Sequence, residues 1–282
     1  MKAKEIVDAI LTYSGVPFEL TRTCDIYTSG GPDTEVTGVV TTFMANVDVI
    51  REAIRLGANM IITHEPTYFT GWDTTDWLRD DPVYLAKKKM LDEHDIVIWR
   101  YHDHMHMKKP DGIYEGLNKE LGWEDRVQKK ELSEVNPEHF DFVDAFGDIY
   151  VIPETTLSGL ADFFKDKFAM DVVQIIGDPD MKCSRVGILV GGGSLGLGKE
   201  EMPMQVMEKY DIHVMVCGEI TEWTLCAYVN DACKLGMNRA LLILGHERTE
   251  EWGMKHMAEW LKPLIPGMPV HFVDAREPFK YL

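Results

Sequence analysis

A chain of 282 residues with 45% hydrophobic content is long enough to fold as one large domain or two smaller ones around apolar cores. Its 29 Lys+Arg against 47 Asp+Glu leave a net charge of −18, which excludes an extended nucleic-acid surface, because phosphate binding needs clustered cations. Five scattered cysteines (Cys24, Cys183, Cys217, Cys226, Cys233) without a C-x-x-C pair argue against a disulfide framework or a thiolate zinc site, and for a reducing compartment.

Residues 3–14 read as an amphipathic helix that ends at Gly15, before Pro17. The acids near the start do not suit a signal peptide, and no apolar stretch approaches membrane-spanning length, so the expected location is cytoplasmic with no membrane partner. Residues 24–33, rich in Gly, Ser, Thr and Asp, read as a loop. A strand is predicted over 36–42, a helix over 47–56 stopped by Gly57, and a short buried strand over 59–63 ending in His64-Glu65-Pro66. This β-α-β order implies parallel strands joined by a helical crossover. A helix over 82–93, a strand over 96–99 and a helix over 112–121 complete a first α/β lobe, residues 1–125. Residues 126–145 are polar and acidic and read as a connector. The second α/β lobe, 146–282, is predicted to contain a helix over 157–168, strands over 172–176 and 186–190, a helix over 201–209, a strand over 212–216, a helix over 221–235 and a strand over 240–244. One pattern recurs: Leu56-Gly57-Ala58-Asn59 and Leu235-Gly236-Met237-Asn238 each lead through a strand to a His-Glu pair. It marks either two related halves or a favoured helix exit used twice.

Three His/acid clusters each close a predicted strand. His246 and Glu250 lie four residues apart at a helix start, so they share a face beyond the strand's carboxyl end, where open α/β sheets hold ligands. His64-Glu65 ends the 59–63 strand. His102, His104 and His106 alternate, and if the strand from Ile96 continues, all three share one face with Asp103 on the other. Each cluster has an ordinary reading: a hydrogen-bonded surface pair, a capping acid, a solvated histidine run. Their common position favours one metal site assembled from distant segments. Imidazole and carboxylate without thiolate suit zinc, manganese, iron or cobalt.

Two further signals are weaker. Gly191-Gly192-Gly193-Ser194-Leu195-Gly196 fits G-x-G-x-x-G, but Pro203 falls inside the helix that should follow; residues 193–199 fit G-x-x-x-x-G-K, but Glu200 replaces the hydroxyl that should hold magnesium. A tight turn needing positive φ remains, able to line a site and offer backbone N–H groups to an anion. Tyr68, Phe69 and Trp72 could stack on a planar substrate or pack under a loop.

These motifs, in this order, resemble the NIF-three-like family of dinuclear metal proteins, also called GTP cyclohydrolase I type 2-like. Ile61-Ile62-Thr63-His64-Glu65-Pro66 is similar to its strand-plus-His-His-Pro motif, and residues 98–112 to its His-x-x-x-Asp segment followed by glycine. Gly191 to Ser194 is similar to its glycine-rich turn, and Gly218-Glu219 and Gly245-His246-Glu247-Arg248-Thr249-Glu250 to its C-terminal signatures. The chain departs from the pattern at Glu65, in place of a second histidine, and at His106, where ungapped matching puts the metal-bridging aspartate, with Asp103 as the alternative. Thr41-Thr42 stands where the family has an aspartate, and the inserted domain of longer members has no room here.

The resemblance implies a two-lobed NIF-three-like α/β fold, with mixed or parallel sheets flanked by helices and a metal site between the N- and C-terminal lobes. It also implies a toroidal homohexamer. The expected ligands of one or two divalent ions are His64, Glu65, His106, His246 and Glu250, with Asp103 or His102 as proton carrier. The expected activity is metal-dependent hydrolysis, two cations about 3.5–4 Å apart lowering the pKa of a shared water. The electrophile is a nucleotide-derived ring, an amide or a phosphoester. A non-catalytic metal-binding scaffold or regulatory interaction partner is the alternative, and metal storage or trafficking a third.

Overall fold

The computed structural model describes residues 1–16, 20, 22–128 and 147–282. They divide into two units: Met1–Leu117 with Glu251–Arg276, and Asn118–Glu250 with Glu277–Leu282.

The first unit begins with α1 (Ala3–Ser14), whose Ile6 and Ile10, one helical turn apart, are both fully buried. β1 (Tyr27–Ser29) lies inside the stretch expected to be a loop; three half-buried polar residues carry no alternation for sequence reasoning to detect. β2 (Val39–Thr42), α2 (Val47–Leu56) and β3 (Met60–Thr63) form the expected β-α-β unit, and α3 (Pro82–Glu93) leads to β4 (Val97–Arg100). Local chemistry sets these helix ends. The Asn46 side chain accepts from the Val49 amide at the start of α2, Asp81 does the same for Tyr84 in α3, and Gly57 stops α2 at φ 69°. The sheet order is β1-β4-β3-β2-β10, with β10 (Val270–Phe272) parallel to β2, and β2, β3 and β4 parallel in the register Val40–Ile61–Ile98. Every residue of β2, β3 and β4 is buried, as expected of a parallel sheet covered on both faces. β1 runs antiparallel to β4, which makes the sheet mixed.

Beyond β4 come two helices, α4 (Asp103–Met107) and α5 (Gly112–Leu121). Gly116 of α5 packs directly against the backbone of α9 (His246–Leu261): a Cβ there would overlap the Trp252 carbonyl and lie 2.6 Å from Gly253 Cα. Only glycine permits that approach.

In the second unit, β5 (Asp148–Thr156), α6 (Leu157–Phe168), β6 (Gln174–Ile176), β7 (Lys182–Leu189), α7 (Met202–Lys209), β8 (Val214–Cys217), α8 (Ala227–Lys234) and β9 (Ala240–Ile243) give the sheet order β5-β7-β8-β9-β6. β7, β8 and β9 are parallel and both edges are antiparallel. β5 contains Pro153 beside a register shift between Val151 and Thr155; an edge strand tolerates the missing ladder donor. The helix expected over 221–235 is interrupted, because Glu222–Cys226 forms a wider π turn with Thr224 at φ −100°, ψ −113° before α8 begins.

The contiguous lobes of the sequence reading differ from these units in two places: residues 118–125 group with the second unit, and the C-terminal end is divided. Residues 251–276 group with the first unit, where β10 extends its sheet and Thr41 Oγ1 donates to the Met254 carbonyl at 2.8 Å. Of the expected connector, Arg126 closes a short 3-10 turn and Val127 bridges to Tyr150, while 129–145 lie outside the described residues. None of the five cysteines forms a disulfide. No helix among the described residues is long and apolar enough to cross a membrane.

Candidate metal centre

The chain does not stay extended after β4. His102 is the N-cap of α4, so the strand predicted over 96–99 does not continue through His106 and the condition for three histidines on one face is not met. The histidine pattern fits both periods, so it does not by itself decide between strand and helix. Positions 102 and 106 share a face at spacing two and at spacing four, whereas position 104 joins them only in a strand. The helix accordingly brings His102 and His106 together and turns His104 toward Asp25, with His104 Nδ1 2.6 Å from Asp25 Oδ2.

His64, fully buried at the end of β3, completes a triangle of imidazoles. Ring centroids lie 4.6 Å apart for His64–His102, 5.0 Å for His64–His106 and 4.9 Å for His102–His106. One ring nitrogen from each lies within 4.8 Å of the other two. Every Nδ1 has an acceptor: Tyr101 O at 3.1 Å for His64, Asp103 Oδ1 at 3.0 Å for His102 and Asp111 Oδ2 at 2.9 Å for His106. With Nδ1 donating, Nε2 carries the lone pair, which is how protein partners orient metal-binding histidines. Burial, and then the neighbouring His102 and His106, hold the His64 pKa well below the usual imidazole value, so it stays neutral and able to ligate. Three imidazoles, each oriented through Nδ1, fit a borderline divalent cation such as zinc, iron or cobalt.

Asp103 is poorly suited to carrying a proton. Burial pushes its pKa up, but bonds from His102, from the Cys24 amide at 3.0 Å and from Thr23 Oγ1 at 2.8 Å outweigh burial and hold it well below the usual carboxylate range. It is an ionised acceptor that fixes the His102 ring. Cys24 Sγ lies 3.4 Å from Asp103 Oδ1, and burial pushes its thiol up to about 12, so it stays protonated. Glu65 lies between a buried guanidinium and the cluster, with Arg100 Nη2 at 3.3 Å and His102 Nε2 at 3.6 Å. Arg100 also donates to the carbonyls of His64 at 3.0 Å and Gly71 at 2.6 Å, which ties down the loop that follows β3. On that loop Tyr68 is core, whereas Phe69 and Trp72 are exposed and the Arg22 guanidinium sits 4.1 Å from the Trp72 ring centroid.

In the second unit, His246 and Glu250 pair across one turn of α9, Nε2 to Oε2 at 2.9 Å, and His246 Nδ1 reaches Glu219 Oε1 at 3.1 Å. Glu250 is buried and Glu219 half exposed. The glycine-rich turn supports the pair. Gly191 adopts φ +51°, and a Cβ there would overlap the Glu250 carboxylate and lie 2.6 Å from His246 Nε2. Its amide donates to Thr249 Oγ1 at 2.9 Å, and Ser194 Oγ donates to the Glu219 carbonyl. The turn expected from the glycines, with positive φ at Gly191 and Gly196, is thus present and serves as a floor.

Sequence reasoning missed Asp25 and Asp111 and assigned no role to Glu219. Asp111 had a local signal: it stands just before α5 and accepts from the Ile113 and Tyr114 amides at 2.8 and 3.2 Å, as a helix-capping acid does. Asp25 had none, because its partners begin 77 residues later.

The family model described as Duf34/NIF3 (NGG1p interacting factor 3) matches residues 1–278. A Staphylococcus aureus protein named GTP cyclohydrolase 1 type 2 homolog is 34% identical over 93 residues, a match that covers 33% of this chain and only 24% of that protein. A Clostridium acetobutylicum protein of the same name is 24% identical over 242 residues, covering 86% of this chain and 82% of its own length. The crystal structure of a Bacillus cereus protein related to NIF3 superposes with a TM-score of 0.74 at 17% identity, covering 100% of this chain and 99% of that one, which shows a shared fold.

Proposed function

The chain belongs to the Duf34/NIF3 family, and on that premise we propose that it is a metal-dependent hydrolase acting on a nucleotide-derived ring. One observation carries the reading: three imidazoles, each fixed at Nδ1 by its own acceptor, converge in the first unit. The ring substrate is suggested by the GTP cyclohydrolase names of the relatives.

In this proposal His64, His102 and His106 hold the cation, so His102 is a third ligand in place of the proton carrier expected from sequence. Glu65, paired with Arg100, is the proposed further ligand or proton acceptor, and Asp103 is proposed to orient His102. His246 and Glu250 remain proposed as further ligands, and whether the chain holds one ion or two is read from stoichiometry. A bound divalent cation supplies Lewis acidity and, at neutral pH, a nucleophile derived from water. Elemental analysis of the purified chain, with hydrolysis assays on guanine nucleotides, tests this. His106→Ala and His246→Ala are expected to lower metal content and turnover together; unchanged metal in either variant removes that residue from the ligand set.

The family description names an interacting factor, which supports a second reading: a metal-binding protein that acts through a partner. It predicts full metal loading with no turnover on nucleotide, phosphoester or peptide panels.

A further inference from the structure

We infer that Asp25 is the positioning residue of the imidazole cluster, clamping α4 so that His102 and His106 face His64; this rests on the reading that those rings hold a cation. The register of the first sheet puts Asp25 in place. β1 pairs with β4 as Tyr27 with Trp99, and the Arg100 amide donates to the Ile26 carbonyl at 2.9 Å, so the residue before Ile26 lies beside the chain as it leaves β4.

From there one carboxylate takes four bonds. Asp25 Oδ1 accepts from the amides of His102 at 2.7 Å and Asp103 at 2.8 Å. Oδ2 accepts from the His104 amide at 2.9 Å and pairs with His104 Nδ1 at 2.6 Å. The side chain is 1% exposed, so these bonds replace its hydration shell.

α4 needs such a clamp. It has five residues, far too few to stand alone, and its N-cap side chain makes no capping bond. Asp25 supplies that cap from another part of the chain. On the other side Met105 is buried, its side chain packed closely against Gly112 and Gly253. The neighbours of Asp25 grip the same helix, because Thr23 Oγ1 and the Cys24 amide both donate to the Asp103 carboxylate that orients His102. Residues 23–25 therefore set both the rotation of α4 and the tilt of the His102 ring. His104 is explained too: it completes the clamp and is not a ligand.

The test uses the full chain, stripped of metal and titrated with Co²⁺, with the visible d–d bands giving coordination geometry and chelator competition giving affinity. Asp25→Asn is expected to weaken Co²⁺ binding about tenfold to a hundredfold, the usual effect of losing a partner outside the ligand set, and to alter the bands at saturation. Altered bands at saturating metal are not produced by lowered stability alone. His104→Gln, which keeps the three amide bonds, is expected to shift affinity less and in the same direction. Wild-type affinity and bands in Asp25→Asn overturn the inference. If that variant does not fold, wild-type affinity and bands in His104→Gln overturn it instead. His106→Ala separates the premise: unchanged Co²⁺ binding there overturns the metal reading itself, whereas lost binding there with normal binding in Asp25→Asn overturns only the clamp.

Discussion

The imidazole cluster of the first unit and the His246–Glu250 pair of the second both follow parallel strands, yet they are held in opposite ways. The cluster depends on polar side chains from several segments, most of them remote in sequence or buried. Asp25 caps α4, Asp111 fixes His106, Arg100 ties the loop after His64, and Lys87 Nζ, also buried, donates to Thr67 O in that loop at 2.6 Å. The pair depends on local spacing along one long helix and on a missing side chain, Gly191, beneath it. A site of the first kind is sensitive to charge and orientation, and one of the second kind to steric volume.

The largest effect tests whether the cluster binds metal at all. His106→Ala removes one of three rings and is expected to cut metal affinity by more than the about hundredfold that a partner outside the ligand set contributes. Metal content measured beside Glu250→Ala shows which of the two regions dominates binding. Equal, small losses in both variants would erase the contrast.

Gly191→Ala tests the second region by volume alone. A left-handed φ costs a residue with a Cβ about 1–2 kcal/mol, and forced overlap with packed groups about 1–3 kcal/mol more. Urea unfolding should therefore show a loss of about 2–5 kcal/mol, with the NMR signals of His246 displaced. A loss below about 0.5 kcal/mol, the range of an ordinary surface substitution, would mean that the turn is not a floor.

Lys87 tests the buried charges of the first region through pH. Burial, partly offset by Asp73, lowers its pKa from 10.5 to about 8. Between those values the unfolded chain binds the extra proton and the folded chain does not, so stability rises with pH through the window from about 8 to 10.5. Below it the buried ammonium costs its full penalty. Relative to Lys87→Met, the wild-type chain should gain about 3 kcal/mol across that window. A difference that stays flat with pH would show that the amine is solvated.

The same contrast explains what could be read from sequence. α2, α3, α5 and α6 each carry a cap, proline or glycine at an end, and the residues foreseen for them match those observed. β2, β3, β4 and β9 were legible as short apolar runs that end in turn or polar residues. The His246–Glu250 pair was legible because four residues along a helix is a local relation. The first cluster was legible only as histidines near strand ends. What turns them into a site is α4, a five-residue helix whose cap lies 77 residues away, and no window along the chain contains both. β1 and β5 escaped for related reasons, one too short and polar and the other interrupted by Pro153 at a sheet edge.

The smallest expected effect probes how the glycine floor is tied to its helix. Thr249, buried in the first turns of α9, accepts from the Gly191 amide at 2.9 Å while its hydroxyl donates to the His246 carbonyl at 2.8 Å. Thr249→Val keeps the shape and removes the acceptor, leaving the buried Gly191 amide unsatisfied at a cost of about 1–3 kcal/mol. Thr249→Ser keeps the hydroxyl and loses one methyl group, worth about 0.8 kcal/mol of burial. Valine should therefore be the more damaging of the two in urea unfolding, despite being the closer match in volume. If serine proves as costly as valine, packing and not the hydroxyl holds the turn, and the second region is steric throughout.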